Sequence, residues 1–337
     1  MFAYIVRRTI SGLVLLVVMT LVTMMLFFSG PLHPERHACG KICSPAQIAV
    51  TKKAFGYDKP VLVQWGQFMQ GIVKGRNFPE DKKLEKDHPE LVVHCTAPCL
   101  GYSKYFTQNV TTLIKTSFPI SLSLAIVAFI LWITGGVLFG VIAALRKGTI
   151  IDRGIVGISL IFYAFPTFFI GLFLYKFVSI KWQLVPTPEY IPFSQNPWSW
   201  LTGLILPALT LALFFMAGYV RMTRAFVLES MSEDYIRTAK AKGLPARRIL
   251  TKHTMRAAFT PLVTMAGLDL AGLLGGAIIT ETVFNFNGLG GLAVAAATNN
   301  DLPILVGLVI VLASFVILAN IIVDVLYAVI DPRVRVG

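Results

Sequence analysis

The sequence has 337 residues, of which 55% are hydrophobic and only 14% are charged. Soluble domains carry roughly 25% charged residues, so this composition excludes an ordinary water-soluble domain and predicts extensive contact with lipid. The formal net charge of +13 could indicate nucleic-acid binding, but the basic residues fall between apolar runs rather than along one soluble face. We therefore expect a membrane protein with no nucleic-acid partner.

About six segments are apolar enough to cross a bilayer, whose hydrocarbon core requires about 20 apolar residues per helix. The first run is too long for the core of a signal peptide and lacks a clear cleavage site, so we predict a retained span. The fourth run begins with a tryptophan-containing stretch that we place at headgroup depth. The predicted spans are, in chain order, 9–29, 116–145, 154–175, 190–220, 262–283 and 302–330.

Lysines and arginines in the short loops predict the orientation of the chain. Loop 146–153 holds three basic residues and loop 221–256 holds nine, whereas loop 284–301 holds none. The positive-inside rule therefore places both termini in the cytoplasm, as six crossings require. The segment 30–115 then lies outside, and its basic residues do not conflict with this topology because long segments translocate largely regardless of charge. The predicted regions are 1–29, an extracytoplasmic region 30–115, and a core of five spans at 116–337.

All four cysteines lie in the outer segment, at Cys39, Cys43, Cys95 and Cys99. An oxidising location favours two disulfides, and sequence alone does not choose among the three possible pairings. Four histidines in the same segment keep a zinc site open as an alternative, although the three-residue cysteine spacing is not typical of one. Free thiols are the third possibility. We favour disulfides and expect no metal.

The predicted cytoplasmic loop 229–257 has the local signals of two short helices joined by a tight turn. Ser230 and Glu233 form a capping-box pattern. Gly243 stands where a left-handed C-cap needs a residue without Cβ, and Pro245 suits the first turn of a second helix. The charged residues that match the dipole of the first helix are Glu233, Asp234, Lys240 and Lys242.

Three interpretations of this loop stay open on composition alone. It could be a solvated basic loop that only obeys the positive-inside rule. It could be an amphipathic helix pair that lies on anionic lipid. The third interpretation is a docking element for a partner protein.

The stretch Asp234-Tyr-Ile-Arg-Thr-Ala-Lys-Ala-Lys-Gly-Leu244 resembles the EAA-type loop of ABC importer permeases, in the version found in dipeptide and oligopeptide transport systems. Gly243 matches the hallmark glycine of that loop, whereas Arg237-Thr238-Ala239 stands where Glu-Ala-Ala gives the loop its name. Further stretches extend the resemblance over nearly the whole chain. They are 4–8, 55–65, 280–290 and 324–335.

The chain departs from the family pattern in three places. Asn285-Phe-Asn287 stands where the family often has a turn with serine and proline. The segment 79–104 has no clear counterpart in the family pattern and resembles an insertion or a divergent outer region. Asp269 stands where an uncharged residue is more usual. The first two departures affect the expected docking surface for a binding protein and leave the family resemblance intact.

The resemblance implies an all-α polytopic fold of the type I ABC importer permease, with an extracytoplasmic domain between spans 1 and 2. It implies an inner-membrane subunit that forms half of a path for di- or oligopeptides. The implied partners are a second permease, two ATPase subunits or one fused ATPase, and an extracytoplasmic binding protein. The residues that it assigns to ATPase coupling are Glu233, Asp234, Tyr235, Arg237, Ala239, Lys240, Gly243 and Leu244.

No catalytic constellation and no Walker A pattern occur in the sequence, so we expect a non-catalytic chain without a cofactor. ATP and Mg would then be bound by partner subunits. Two alternatives remain: a permease of the same family for a nickel complex, glutathione or a sugar, and an ion-coupled secondary transporter. The secondary transporter is disfavoured because we find no internal repeat.

Intramembrane carboxylates are costly and are functional candidates by default. Asp269 shares a helix face with Gly272, so it either lines the translocation path or pairs within the bundle. Glu281 is a second candidate for the path or for gating, although its position near a span end is also consistent with an interfacial residue. Asp324 lies at helical spacing from Asn320, and we expect hydrogen bonding within the fold.

Two further patterns predict details of the helices. Pro166 should kink the third span, because proline removes a helical hydrogen bond. Gly136 and Gly140 should allow the second span to contact another helix closely.

Overall fold

The structure is a computed structural model that describes residues 2–28, 44–80, 86, 89 and 92–330; at 2–5, 271, 274–276 and 323–330 it describes the backbone only. Most of these residues are helical, which confirms the predicted fold class. The chain forms two compact units. We name Met1–Pro119 with Asn287–Ile317 the N-terminal unit, and Ile120–Phe286 with Leu318–Gly337 the core unit.

Thirteen α-helices and four short strands lie in the described part of the chain. The helices are α1 (Phe2–Phe28), α2 (Pro45–Ala54), α3 (Val61–Lys74), α4 (Val110–Leu145), α5 (Ile150–Ala164), α6 (Thr167–Leu174), α7 (Pro197–Ser232), α8 (Asp234–Ala241), α9 (Ala246–Arg248), α10 (Met255–Gly276), α11 (Ile278–Val283), α12 (Leu289–Thr298) and α13 (Leu302–Ile330). Two π-helical stretches, Tyr175–Lys181 and Ile249–Thr254, follow α6 and α9. The strands form two antiparallel pairs, β1 (Arg76–Phe78) with β2 (Val93–Cys95) and β3 (Tyr102–Ser103) with β4 (Gln108–Asn109).

Four described helices are long and apolar enough to cross a membrane: α1, α4, α7 and α13. A fifth span is present if α5 counts together with α6 and its π-helical extension, which meet at a bend of 102°. The bend lies at Phe165 and Pro166, which confirms the predicted kink. Proline disfavours helical geometry in the preceding residue, and Phe165 is accordingly extended.

The predicted fifth span differs from the structure. Its helix, α10, starts at Met255 and ends at Gly276, and a break at Ala277 separates it from the short helix α11. This helix is not among the four or five spans found in the described residues. The count of six therefore stays a prediction at this segment.

The N-terminal unit has an apolar core to which α1, α3 and α13 contribute, with buried residues such as Met24, Phe68 and Ile304. Trp65 on α3 donates a hydrogen bond of 3.0 Å from its indole nitrogen to the Thr20 hydroxyl on α1. This hydrogen bond satisfies the indole nitrogen, which is the only polar atom of the tryptophan side chain. In the same unit, Asp301 accepts a hydrogen bond of 2.5 Å from Ser103.

A disulfide joins Cys95 and Cys99, a pairing that the sequence left open. Both residues are buried against Phe78 in a small cluster. Their sulfurs are bonded to each other, so the zinc alternative fails for these two residues. Cys39 and Cys43 lie outside the described residues.

In the core unit, glycines bring α4 into close contact with α7. A Cβ placed on Gly136 would lie 2.5 Å from the Cβ of Tyr219, and one on Gly140 would lie 2.8 Å from the Val220 carbonyl oxygen. Neither position could carry a larger residue without moving a helix. The predicted tight contact of the second span is therefore confirmed, and it fixes the position of Tyr219 along the axis of α4.

Candidate functional site

The turn at Gly243 has the hydrogen bonds of a Schellman C-cap. The Gly243 amide donates to the Lys240 carbonyl at 2.9 Å, and the Leu244 amide donates to the Ala239 carbonyl at 3.3 Å. Gly243 has a φ of +72°, and no neighbouring atom lies within 4 Å of the position that a Cβ would occupy. Backbone conformation rather than crowding therefore requires the glycine, and the predicted left-handed turn is confirmed.

The start of α8 differs from the prediction. Helix α7 continues to Ser232, and Glu233 is the N-cap of α8 without a side-chain capping bond. The capping box predicted for Ser230 and Glu233 is therefore wrong. Ser230 lies inside α7 on the buried face that also holds Val227, and this tertiary packing extends the helix past its local cap signal.

Ser230 instead connects three parts of the loop. Its hydroxyl lies 2.8 Å from the Tyr235 hydroxyl and donates to the Thr254 carbonyl oxygen at 3.3 Å. Because the single Ser230 hydrogen is directed to Thr254, Tyr235 is the donor to Ser230. The end of α7, the first turn of α8 and the end of the second π-helical stretch are thus joined at one buried serine.

Helix α8 has one buried apolar face and one exposed charged face. Ile236 is fully buried and packs with Ala239 and Ile249, and Leu244 lies against this cluster. On the opposite face, Arg237 pairs with Asp234 at 3.5 Å. Their side chains are 78% and 94% exposed, so this ion pair contributes little to stability.

The second helix of the loop is continuous with α10, the helix that follows it. Pro245 is its N-cap, one residue before the first turn that we predicted. From there the chain passes through α9 and the π-helical stretch Ile249–Thr254 into α10. Short π-helical stretches are frequent at functional sites. A displacement of the loop would therefore act directly on α10.

Three polar pairs whose partners the sequence did not identify lie within the core unit. The best satisfied joins Arg224 on α7 to Asp152 on α5 through two hydrogen bonds of 2.7 and 2.8 Å. Asp152 also accepts from the Gly148 amide at 2.9 Å. These residues are 72 positions apart, and the sequence analysis considered only Arg224, as one of the basic residues of loop 221–256. Their pairing fixes the start of α5 against α7.

The other two pairs involve the predicted carboxylates. Asp269 is half-buried and accepts a 2.6 Å hydrogen bond from the Tyr219 hydroxyl. Glu281 is fully buried and accepts a 2.5 Å hydrogen bond from Ser121 on α4. The Glu281 side chain lies on the packed face of α11, whereas Ile279 on the same helix is exposed, and the interfacial interpretation of Glu281 stays a prediction. Gly272, on the face of Asp269, has no close neighbour in the described residues.

Asn320 lies on α13, and its side-chain oxygen is buried without a hydrogen-bond partner in the described part of the chain. The Asp324 side chain lies outside the described residues. The predicted pairing of these two residues therefore stays a prediction. Among the described residues, no group of three or more His, Cys, Asp or Glu side chains could hold a metal ion.

Comparison with known families identifies the family to which this chain belongs. The family model described as binding-protein-dependent transport system inner membrane component matches residues 136–336, and the N-terminal model of the same family matches residues 1–125. The chain belongs to the binding-protein-dependent transport permeases. The permease is thus a multi-pass inner-membrane component of an ABC transport system.

Named relatives match the permease over nearly its full length. It is 32% identical to the probable peptide ABC transporter permease protein y4tP of Sinorhizobium fredii, covering 99% of this chain and 100% of the relative. It is also 32% identical to the oligopeptide transport system permease protein AppB of Bacillus subtilis, covering 99% and 100%. Identity to the dipeptide transport system permease protein DppB of Escherichia coli is 33%, covering 99% of both chains.

Among solved structures, the permease is similar to a chain of the MetNI methionine ABC transporter in an inward-facing conformation. The TM-score is 0.53 at 19% identity, and the match covers 66% of this chain and 98% of that chain. This likeness confirms the predicted permease fold.

Proposed function

We propose that this permease forms half of the translocation path of an ATP-driven importer of di- or oligopeptides. The named peptide, oligopeptide and dipeptide permeases among its relatives support this substrate class. An extracytoplasmic binding protein delivers the peptide, and a homologous second permease completes the path. Partner ATPase subunits bind ATP and Mg, while this chain contributes neither a cofactor site nor a catalytic residue.

The observation that carries the proposal is the geometry of the 229–257 loop, which we name the coupling segment. Its first helix is fixed by a buried face and a Schellman turn, while Arg237 and its neighbours face solvent. Such a helix can dock into a groove of an ATPase without unfolding. Because the chain continues without interruption into α10, movement of the docked helix is transmitted to a membrane helix.

The orientation in this proposal places the coupling segment and both termini in the cytoplasm. The region 30–115 is then extracytoplasmic, and the disulfide between Cys95 and Cys99 suits an oxidising location. Of the two intramembrane carboxylates, Asp269 is the better candidate for the path because it is only half-buried. We expect Asp269→Asn to change uptake of some peptides more than others; equal uptake of every peptide would exclude the path role.

Site-specific photo-cross-linking of the assembled transporter tests the coupling segment. A photoreactive amino acid at Arg237 should form an adduct with the ATPase subunit. The same amino acid at Trp182, which is exposed in a loop placed on the opposite side of the membrane, is the matched control. No ATPase adduct at Arg237, or equal adducts at both positions, would contradict the proposal.

Uptake assays distinguish the proposed function from its alternatives. In proteoliposomes with the cognate binding protein, peptide uptake should require ATP inside and continue when an ionophore dissipates ion gradients. Uptake driven by an ion gradient without ATP would indicate a secondary transporter. Competition by a nickel complex, glutathione or a sugar, with none by peptides, would assign another solute.

A further inference from the structure

A large apolar cavity lies in the core unit beside the coupling segment. Its volume is about 550 Å³. The wall is formed by the end of α4, by α7, by α8 and by the second helix of the coupling segment. The apolar side chains that line it are Leu145, Met231, Ile236, Leu244, Ile249 and Leu250. This cavity is adjacent to the exposed face of Arg237 but does not include it.

Two basic residues of the coupling segment, Lys240 and Arg247, also line the cavity, and both are exposed to solvent. No acidic residue lines the cavity in the part of the chain that the structure describes. A ligand that fills it would therefore combine an apolar part with a negative charge.

The position of the cavity connects it to the bilayer. Leu145 is the last residue of α4, a helix long and apolar enough to span a membrane, and its side chain is 49% exposed. The cavity thus begins where a membrane helix ends and extends toward basic residues of the following loop. An acyl chain of a lipid beside the end of α4 would therefore meet the apolar wall of the cavity.

We propose that the cavity binds an anionic phospholipid. An acyl chain occupies the apolar wall, and the headgroup phosphate lies between Lys240 and Arg247. Basic pockets beside membrane helices on the cytoplasmic side suit such headgroups, and a basic residue near an anionic surface contributes about 1 kcal/mol. This site shares Lys240 and Leu244 with the residues assigned to ATPase coupling. It goes beyond that role, because Leu145, Met231 and Arg247 also line it and lie outside the assigned set.

Photolabelling of the complete transporter complex in nanodiscs tests the site. Two probes with the same photoreactive acyl chain are used, one phosphatidylglycerol and one phosphatidylcholine, and labelled peptides are mapped by mass spectrometry. We expect phosphatidylglycerol to label residues 236–250 more strongly than phosphatidylcholine. Arg247→Gln should reduce that label about fivefold, the loss expected for one basic residue near an anionic surface.

Arg248→Gln is the matched control, because it removes the same charge at a neighbouring exposed position that does not line the cavity. It should leave the label unchanged. Ala246→Phe keeps both charges but adds bulk to the cavity lining, and it should reduce labelling by both probes. Equal labelling by the two probes, equal losses for Arg247→Gln and Arg248→Gln, or a segment of the ATPase cross-linked inside the cavity would each overturn the proposal.

Discussion

Hydrogen bonds and ion pairs occur both in the coupling segment and between the helices of the core unit, but they have different roles in the two regions. In the coupling segment, contacts join residues at most 24 positions apart, and the Arg237–Asp234 ion pair is exposed. In the core, pairs join residues 50 to 160 positions apart and at least one partner is buried or half-buried. The core pairs fix helices to one another, whereas the coupling segment is fixed by contacts within itself and keeps the charges of Arg237 and Asp234 exposed.

The two Asp–Arg pairs give the strongest test of this contrast. Asp152→Ala removes both hydrogen bonds to Arg224 and leaves the guanidinium without this partner, so we expect the largest fall in thermal midpoint of the variants considered. Asp234→Ala, which breaks the exposed pair, should leave the midpoint nearly unchanged. Thermal unfolding of the detergent-solubilised permease measures both, and similar shifts would remove the distinction between the regions.

The buried pair of Ser121 and Glu281 should give the next largest effect. Ser121→Ala removes a hydrogen bond to a fully buried carboxyl group, which typically costs about 1.5–3 kcal/mol. Ser314→Ala is the control, because the Ser314 hydroxyl bonds the carbonyl of Ile310 in its own helix. Denaturant unfolding should show a clear loss in the free energy of unfolding for the first variant only. Equal losses would mean that the contact with Glu281 contributes no more to stability than a hydrogen bond within one helix.

Ser230 tests the coupling segment itself, with a smaller effect on stability and a larger one on function. Ser230→Ala breaks the connection among α7, α8 and Thr254, at a cost of about 1 kcal/mol. Peptide uptake should fall several-fold while the ATPase still co-purifies. Ser232→Ala, two residues later, removes only a bond to the nearby Glu229 carbonyl and should leave uptake unchanged. Full uptake by the Ser230 variant would show that this junction does not position the segment.

Sequence predicted the features whose causes lie within a few residues. Gly243, Pro166 and the pair Gly136 and Gly140 each act through backbone conformation or the lack of a side chain, and the structure confirms all three. The pairs at Asp152 and Glu281 depend on which helices meet, and no spacing in the chain encodes that. For the same reason the capping box at Ser230 failed, since packing along α7 extended the helix past it.

The most direct test of the coupling role compares two glycines under equal strain. Gly243 and Gly148 have φ values of +72° and +81°. At both glycines, no atom of the described residues outside the glycine and its chain neighbours lies within 4 Å of the position that a Cβ would occupy. Valine at either site should incur a similar backbone cost of roughly 1–2 kcal/mol. The measurement is the number of peptides imported per ATP hydrolysed in proteoliposomes. We predict that Gly243→Val lowers this ratio several-fold while Gly148→Val leaves it near that of the unaltered permease; equal ratios for the two variants would contradict the account.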